Sequence, residues 1–118
     1  MTTWDQGGPI YQQLADRLAA QLLDGAWREG QAMPSVRTLA SEHLLNPLTV
    51  NRALQLLCDA DLLEVRRGLG LFIRPGARQR LRQQERHRFL EHEWPQLRAR
   101  LRRLNITAEQ LNWEENPA

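Results

Sequence analysis

The sequence predicts a mainly α-helical fold with one small β-hairpin, and three observations lead to this prediction. Before residue 60, apolar residues recur at helical spacing in three segments, and each segment begins with proline or a capping residue. Two short β-rich runs follow, separated by the glycine-bearing turn at residues 68–70. After Pro75 the pattern is helical again to about Arg103.

The first helix is predicted to begin at Pro9, a position where the missing backbone N–H costs nothing. Its apolar face repeats every four residues and consists of Ile10, Leu14, Leu18 and Leu22. Gly25 is expected to end the helix in a left-handed conformation. Residues 26–33 are predicted to form a loop with a short extended piece near Met33.

A short second helix is predicted after Pro34, with Ser35 as its N-cap. The stripe expected to be buried contains Val36, Leu39, Ala40 and His43. After a break at Leu44, a third helix begins with the capping residue Asn46 followed by Pro47. Two such helices joined by a turn of a few residues are typical of a helix-turn-helix.

The third helix is predicted to have two different faces. Its inward stripe contains Val50, Ala53, Leu54 and Leu57. At 100° per residue, Leu48, Arg52 and Gln55 point outward, and Thr49 and Asn51 flank them. The hairpin that follows carries Arg66 and Arg67 at its tip. A helix-turn-helix followed at once by such a hairpin is a winged helix-turn-helix, which we expect over residues 8–74.

Residues 75–115 are predicted to form a C-terminal helical dimerisation tail. Large apolar residues at alternating spacings of four and three form a heptad seam: Leu90, Trp94, Leu97, Leu101 and Leu104. Exposed, these side chains would forfeit roughly 1.5–3 kcal/mol each, so the seam predicts a homodimer. Pro95 is expected to kink or break the helix, and Asn105 to stop it. A capping box at residues 107–110 predicts a last short helix carrying Leu111 and Trp113.

The charge of the chain is segregated. All 16 basic residues are arginines, and residues 66–103 contain 12 of them against 3 acidic residues. Arginine suits phosphates and base edges better than lysine does, so the segregation indicates a polyanion such as nucleic acid. A GC-rich coding bias explains the absence of lysine equally well. The six arginines between residues 74 and 88 are read either as a solvated face that pairs with acidic groups or as a basic shoulder beside DNA.

Composition argues against several other classes of protein. With 118 residues and one cysteine, the chain is too small for a two-lobed enzyme and has no internal disulfide framework. No apolar run approaches the roughly 18 residues of a membrane helix, and the first residues lack a secretory-signal pattern, so we expect a cytoplasmic protein. Cys58 is interpreted as a small core residue rather than a redox sensor. The histidines form no recognisable metal set, and no cofactor or enzymatic activity is expected.

Five segments carry motifs in a fixed order: residues 8–14, 25–30, 33–40, 46–53 and 66–70. In this order they resemble the DNA-binding domain of GntR-type bacterial transcription regulators. The short helical tail is similar to that of the YtrA-like subfamily. The resemblance implies a homodimer that binds double-stranded DNA, most often as a repressor, at a pseudo-palindromic operator.

The resemblance also implies which residues touch DNA. The start of the third helix would enter the major groove, the tip of the hairpin would reach the minor groove, and Arg37 would contact DNA from the second helix. The candidate DNA-binding residues are Ser35, Arg37, Asn46, Pro47, Leu48, Thr49, Asn51, Arg52, Arg66, Arg67 and Gly68. Of the two adjacent wing arginines, Arg67 is favoured, because neighbouring strand residues face opposite ways.

Several alternatives stay open at this point. Arg37 is read as a DNA contact or as the partner of Glu42 in a salt bridge. Leu48 would meet a thymine methyl group or pack against a neighbouring helix in a shifted turn. The family usually has glycine where this chain has Leu44, and a left-handed leucine costs about 1 kcal/mol, which favours a rearranged turn. At the level of function, the alternatives are a protein–protein interaction module and a sensor whose small effector binds between the tail and the winged domain.

Overall fold

The computed structural model describes Trp4 and residues 8–114. Five α-helices and two strands follow one another along the chain: α1 Ile10–Leu23, α2 Val36–His43, α3 Pro47–Asp59, β1 Leu63–Arg66, β2 Gly70–Ile73, α4 Ala77–Arg88 and α5 Trp94–Arg103. A π-helical turn, Phe89–Glu93, separates α4 from α5, and a 3-10 turn, Ala108–Gln110, follows α5. The predicted fold class, mainly α with one hairpin, is confirmed.

The chain divides into two compact units, Met1–Arg82 and Gln83–Ala118, here called the winged unit and the tail unit. The predicted boundary at residues 74–75 follows the motifs, whereas the observed division falls inside α4. The reason is that Ala77 and Leu81 of α4 are buried with the core of the winged unit. No helix of the described residues has the length and apolar character needed to cross a bilayer.

Helix α1 has the start and end that the sequence predicts. Pro9 occupies the N-cap position, and Gly25 adopts a left-handed φ of 88°. The Gly25 N–H donates to the Leu22 carbonyl and the Ala26 N–H donates to the Gln21 carbonyl, which is the Schellman pattern. Leu14, Ala15, Leu18 and Leu22 are buried. Ile10, expected in the same stripe, is 42% exposed because it is the first residue of the helix.

The turn between α2 and α3 keeps a left-handed residue without glycine. Leu44 has φ 55° and ψ 49°, so the expected rearrangement of this turn is wrong. The Leu45 N–H donates to the Ala40 carbonyl at 2.9 Å and closes the turn. Leu44 is 76% exposed, so its side chain extends into solvent instead of packing in the core. The strain of about 1 kcal/mol is retained in the fold.

The wing is a two-stranded antiparallel sheet with an added edge. Leu63 of β1 pairs with Ile73 of β2, and Arg66 pairs with Gly70. On the other side of β2, the Met33 N–H donates to the Leu71 carbonyl and the Ile73 N–H donates to the Gln31 carbonyl. The predicted extended piece near Met33 is thus confirmed. These bonds fix the base of the wing to the loop that leads into α2.

The core of the winged unit is entirely apolar among the described residues. Its largest fully buried side chains are Leu14, Leu18, Leu39, Val50, Leu62 and Ile73. The inward stripe of α3 is buried as predicted. In α2 only Leu39 and Ala40 are buried, while Val36 and His43 are half-buried. Helices α1 and α3 pack on one another and α2 packs on α3, which leaves the outer face of α3 uncovered.

Just before Pro95, where the sequence predicts a break, the helix of the tail unit is interrupted by a π-helical turn. The Trp94 N–H donates to the carbonyl of Phe89, five residues earlier, in the π-helical turn just before the proline. Asn105 has φ 56° and ends α5 as expected. The capping box of Thr107 and Gln110 is present. The last short helix is only a 3-10 turn, so Leu111 and Trp113 lie beyond it rather than on it.

Candidate nucleic-acid interface

The outer face of α3 is open to solvent. Leu48 is 71% exposed, and Asn51 and Arg52 are exposed as well. Thr49 is half-buried at the edge of this face. Since the turn before α3 is not shifted, Leu48 does not pack against a neighbouring helix of the winged unit. Of its two interpretations, contact with a thymine methyl group is the one that this exposure favours.

The first turn of α3 is built by its cap. The Asn46 side chain accepts a hydrogen bond from the Leu48 N–H at 2.8 Å, and Pro47 occupies the first helical turn. The Thr49 and Val50 N–H groups donate to the Asn46 carbonyl. The positive end of the helix dipole lies at this point, beside the exposed face. The N-terminus of α3 is thus compatible with a nearby DNA phosphate.

Arg52 is held by an aromatic residue from another helix. Its guanidinium carbon lies 4.0 Å from the centroid of the Tyr11 ring of α1. Tyr11 is half-buried and packs against the core. Tyr11 is not among the candidate DNA-binding residues that the sequence indicates. Its pairing with a residue 41 positions later depends on how α1 packs on α3, which no local pattern reveals.

At the start of α2, the Ser35 hydroxyl is engaged in hydrogen bonds, whereas the Arg37 guanidinium is exposed. The Ser35 hydroxyl accepts from the Thr38 N–H at 3.1 Å and donates to the Thr38 hydroxyl at 2.9 Å. Ser35 therefore serves first as a helix cap. Arg37 is exposed, and the ion pairs found among the described residues do not join it to Glu42. Its guanidinium is available to an external anion.

The two arginines of the wing have different surroundings. Arg66 forms an ion pair with Glu64 at 3.1 Å and stacks on the ring of Phe72, 4.1 Å from its centroid. Arg67 is exposed in the turn, next to Gly68, whose φ of 77° suits glycine. The Leu69 N–H closes this turn by donating to the Arg66 carbonyl at 2.9 Å. Arg67 is thus the projecting cation, while Arg66 braces the strand.

The sequence suggested two interpretations of the arginine-rich segment at residues 74–88, a solvated face or a basic shoulder beside DNA. Neither interpretation describes all of its arginines. Arg78 donates from Nε to the Leu22 carbonyl at the end of α1. Arg80 donates to the Asp61 carbonyl at 2.8 Å. Arg88 pairs with Glu85. The Leu22 carbonyl, which also accepts from the Gly25 N–H, lies at a helix C-terminus, where a cationic donor is favourable. Arg78 and Arg80 therefore bind carbonyls within the winged unit rather than extend its basic surface.

Other chemistry has little support in the described part of the chain. No group of three potential metal ligands is found there. Burial raises the pKa of the Cys58 thiol, the carboxylate of Asp59 adds to the rise and Arg74 opposes it. A raised pKa leaves less thiolate at neutral pH, which agrees with the interpretation of Cys58 as a packing residue.

The tail unit contains an apolar groove of about 430 Å³. Its lining residues are Phe89, Leu90, Trp94, Leu97, Leu101, Leu111 and Trp113. Four of the five predicted seam residues belong to this lining, and the fifth, Leu104, is exposed at the end of α5. The groove shows that these four seam residues are gathered on one face of the tail unit, and no described residue of that unit fills it.

Comparison with known proteins gives one consistent result. The model of the gntR family of bacterial regulatory proteins matches residues 10–73. The transcriptional repressor YtrA of Bacillus subtilis is 36% identical over 70 residues, which are 59% of this chain and 54% of that protein. The mannosyl-D-glycerate system repressor MngR of Escherichia coli is 33% identical over 66 residues, 56% of this chain and 28% of that protein. The chain thus spans about half, or less, of the matched relatives.

The solved structures extend the likeness beyond the winged unit. A transcriptional regulator from Oenococcus oeni has a TM-score of 0.73 at 27% identity. The alignment covers 92% of this chain and 89% of that one. The similarity of fold therefore includes the tail unit as well as the residues that the family model matches.

Proposed function

Because the chain belongs to the GntR family of bacterial regulatory proteins, we propose that it is a DNA-binding transcription regulator that represses from a pseudo-palindromic operator as a homodimer. Family membership rests on a match to more than half of the chain. Repression is proposed from the names of the matched relatives YtrA and MngR.

The observation that carries the proposal is the uncovered outer face of α3. A capped helix with exposed Leu48, Asn51 and Arg52 has the width and chemistry to enter a major groove. Arg52 is the residue expected to donate two hydrogen bonds to a guanine. Leu48 is expected to contact a thymine methyl group, while Thr49 and the α3 N-terminus lie at the phosphate backbone.

The wing and α2 complete the proposed contacts. Arg67 projects from the turn beside Gly68, and a narrow minor groove concentrates the negative potential that attracts such a side chain. Arg37 is expected to bind a phosphate from the second helix. Arg66 is proposed to support the wing instead of entering the groove, since Glu64 and Phe72 already hold its guanidinium.

The proposed homodimer is supported by the apolar face of the tail unit. Most of its large side chains are exposed in the described structure, Trp113 to 94%, while Trp94 and Leu101 are half-buried. Burying such residues against a second copy is worth roughly 1.5–3 kcal/mol per side chain. A two-fold pair of tails would also place two winged units on an operator with inverted half-sites.

The test is selection of bound duplexes from random and genomic DNA by the purified protein. The expected result is enrichment of an inverted repeat, with half-sites about one helical turn apart. Retardation of every duplex to the same degree would contradict sequence-specific regulation. Failure to bind any duplex would support the alternative of a protein–protein interaction module.

A further inference from the structure

We propose that Tyr11 is a positioning residue for DNA recognition. Its ring holds the Arg52 guanidinium in the orientation that meets a guanine in the major groove. The inference rests on the proposed function, because it concerns how the same face of α3 selects a sequence. It adds a residue of α1 to a site that the sequence placed only on α2, α3 and the wing.

The contact itself joins two helices. The guanidinium carbon of Arg52 lies 4.0 Å from the centroid of the Tyr11 ring, which is stacking distance. No hydrogen bond or ion pair among the described residues involves the Arg52 side chain. The ring is anchored, since Tyr11 is half-buried and packs against the core. The Arg52 side chain, although exposed, is thereby held against the anchored ring of Tyr11.

The stack is compatible with reading a base. A guanidinium stacks through its face and donates its hydrogen bonds from its edge, in the plane of the group. A guanine presents O6 and N7 to that edge. The Tyr11 ring and the base therefore occupy different sides of Arg52. An arginine already immobilised loses less rotational freedom on binding, so the preorganisation favours the specific complex.

The opposite role would give the opposite result. If the ring kept Arg52 away from the DNA, removal of the ring would strengthen binding to the preferred duplex. If Tyr11 served only to fill the core, its removal would weaken binding to all duplexes alike. The sign of the effect and its dependence on sequence distinguish these roles from positioning.

The experiment compares Tyr11→Leu and Tyr11→Phe with the wild type. The probes are the duplex that wild-type protein selects from a random pool and the same duplex with its half-site guanines replaced by adenines. We expect Tyr11→Leu to weaken binding to the selected duplex by about two- to fivefold, with little change on the substituted one. Tyr11→Phe keeps the ring face and is expected to bind both duplexes as the wild type does.

A double variant and a spectroscopic readout complete the test. In an Arg52→Ala background, Tyr11→Leu is expected to have no further effect on the ratio of the two affinities. In the wild type, the ring current of Tyr11 should shift the NMR signals of the Arg52 side chain upfield, and Tyr11→Phe should preserve that shift. This second measurement needs no disruptive substitution.

The inference is overturned if Tyr11→Leu binds the selected duplex as tightly as the wild type or more tightly, or if it weakens both duplexes equally. Unshifted Arg52 signals in the wild type would also overturn it. A wild-type protein that selects no duplex at all would instead overturn the proposed function. The two failures are therefore distinguishable.

Discussion

Arginines of identical chemistry have different surroundings in this protein. Arg52 and Arg67 are exposed at the proposed interface, whereas Arg78 and Arg80 donate to backbone carbonyls of the winged unit. Charge counting finds a basic chain segment but does not say which cations face outward. The outward position of Arg52 was predictable from helical periodicity, while the inward bonds of Arg78 and Arg80 depend on contacts between distant parts of the chain.

The first prediction separates specificity from general affinity. Arg52→Ala should lose discrimination between duplexes worth about 1–3 kcal/mol, because a bidentate guanine contact disappears. Arg67→Ala should weaken binding to all duplexes and reduce the slope of log affinity against log salt by about one. Gel shifts on selected and scrambled duplexes at several salt concentrations measure both effects.

Arg28→Ala is the matched control for these variants, since Arg28 is exposed in the loop after α1 and carries the same charge. It should bind both duplexes nearly as the wild type does. Wild-type behaviour of both Arg52→Ala and Arg67→Ala would show that the proposed docking of α3 and the wing is wrong.

The second prediction concerns the strained turn. Leu44→Gly should raise the free energy of unfolding by about 1 kcal/mol, because glycine adopts a left-handed φ without the clash of a Cβ. Leu44→Ala should leave stability nearly unchanged. The leucine side chain is exposed, so little packing is lost, and alanine retains the same backbone strain. Urea denaturation followed by circular dichroism checks both; a destabilised glycine variant would mean that the leucine side chain itself stabilises the turn.

At the scale of elements, the sequence predicts well wherever a local signal sets an end. Ser35, Asn46 and Asn105 cap or stop their helices as the pattern indicates, because each acts on backbone groups within a few residues. The break before Pro95 also follows from a local cause, the missing N–H. No local sequence signal indicates the form of that break, a π-helical turn, or the shortness of the last helix.

The role of α4 is the clearest case of long-range dependence. Its first half is part of the winged unit, and Arg78 donates to the carbonyl of Leu22, which lies 56 residues earlier. The guanidinium also lies close to Gly25, where an added Cβ would approach Arg78 Nη2 to 2.8 Å. Gly25 is favoured here by its left-handed φ, and a Cβ at this position would also displace the end of the Arg78 side chain.

A third prediction follows from this cap. Arg78→Ala should lower the free energy of unfolding by about 1 kcal/mol, because the end of α1 loses a hydrogen bond from a charged donor. Arg82→Ala, which removes an exposed arginine from the same helix, should change stability by less than half as much. Chemical denaturation of the two variants gives the comparison. Equal effects would show that Arg78 contributes only its charge.

At the scale of the whole molecule, the proposed function requires two copies of the chain. The tail unit gathers its apolar residues around one groove, and no described part of the same chain fills it. Four residues of the predicted heptad seam line this groove, but spacing alone does not reveal that Phe89, Leu111 and Trp113 join them.

The fourth prediction tests the dimer. Leu97→Arg combined with Leu101→Arg should give monomers, because two charges would be desolvated in the proposed interface. The same variant should bind an operator weakly, since two half-sites are no longer engaged together. Gln96→Arg, which introduces an arginine outside the seam, is the control and should remain a dimer. Sedimentation that shows an unchanged dimer for the double variant would refute the seam.

The outer face of α3 is proposed to contact guanines in the major groove of two symmetric half-sites. Methylation protection on the selected duplex tests this contact most directly, because dimethyl sulfate attacks guanine N7 in that groove. Guanines in both half-sites should be protected by the wild type, and Arg52→Ala should lose this protection. Equal methylation with and without bound protein, or protection that survives Arg52→Ala, would contradict the proposed contact.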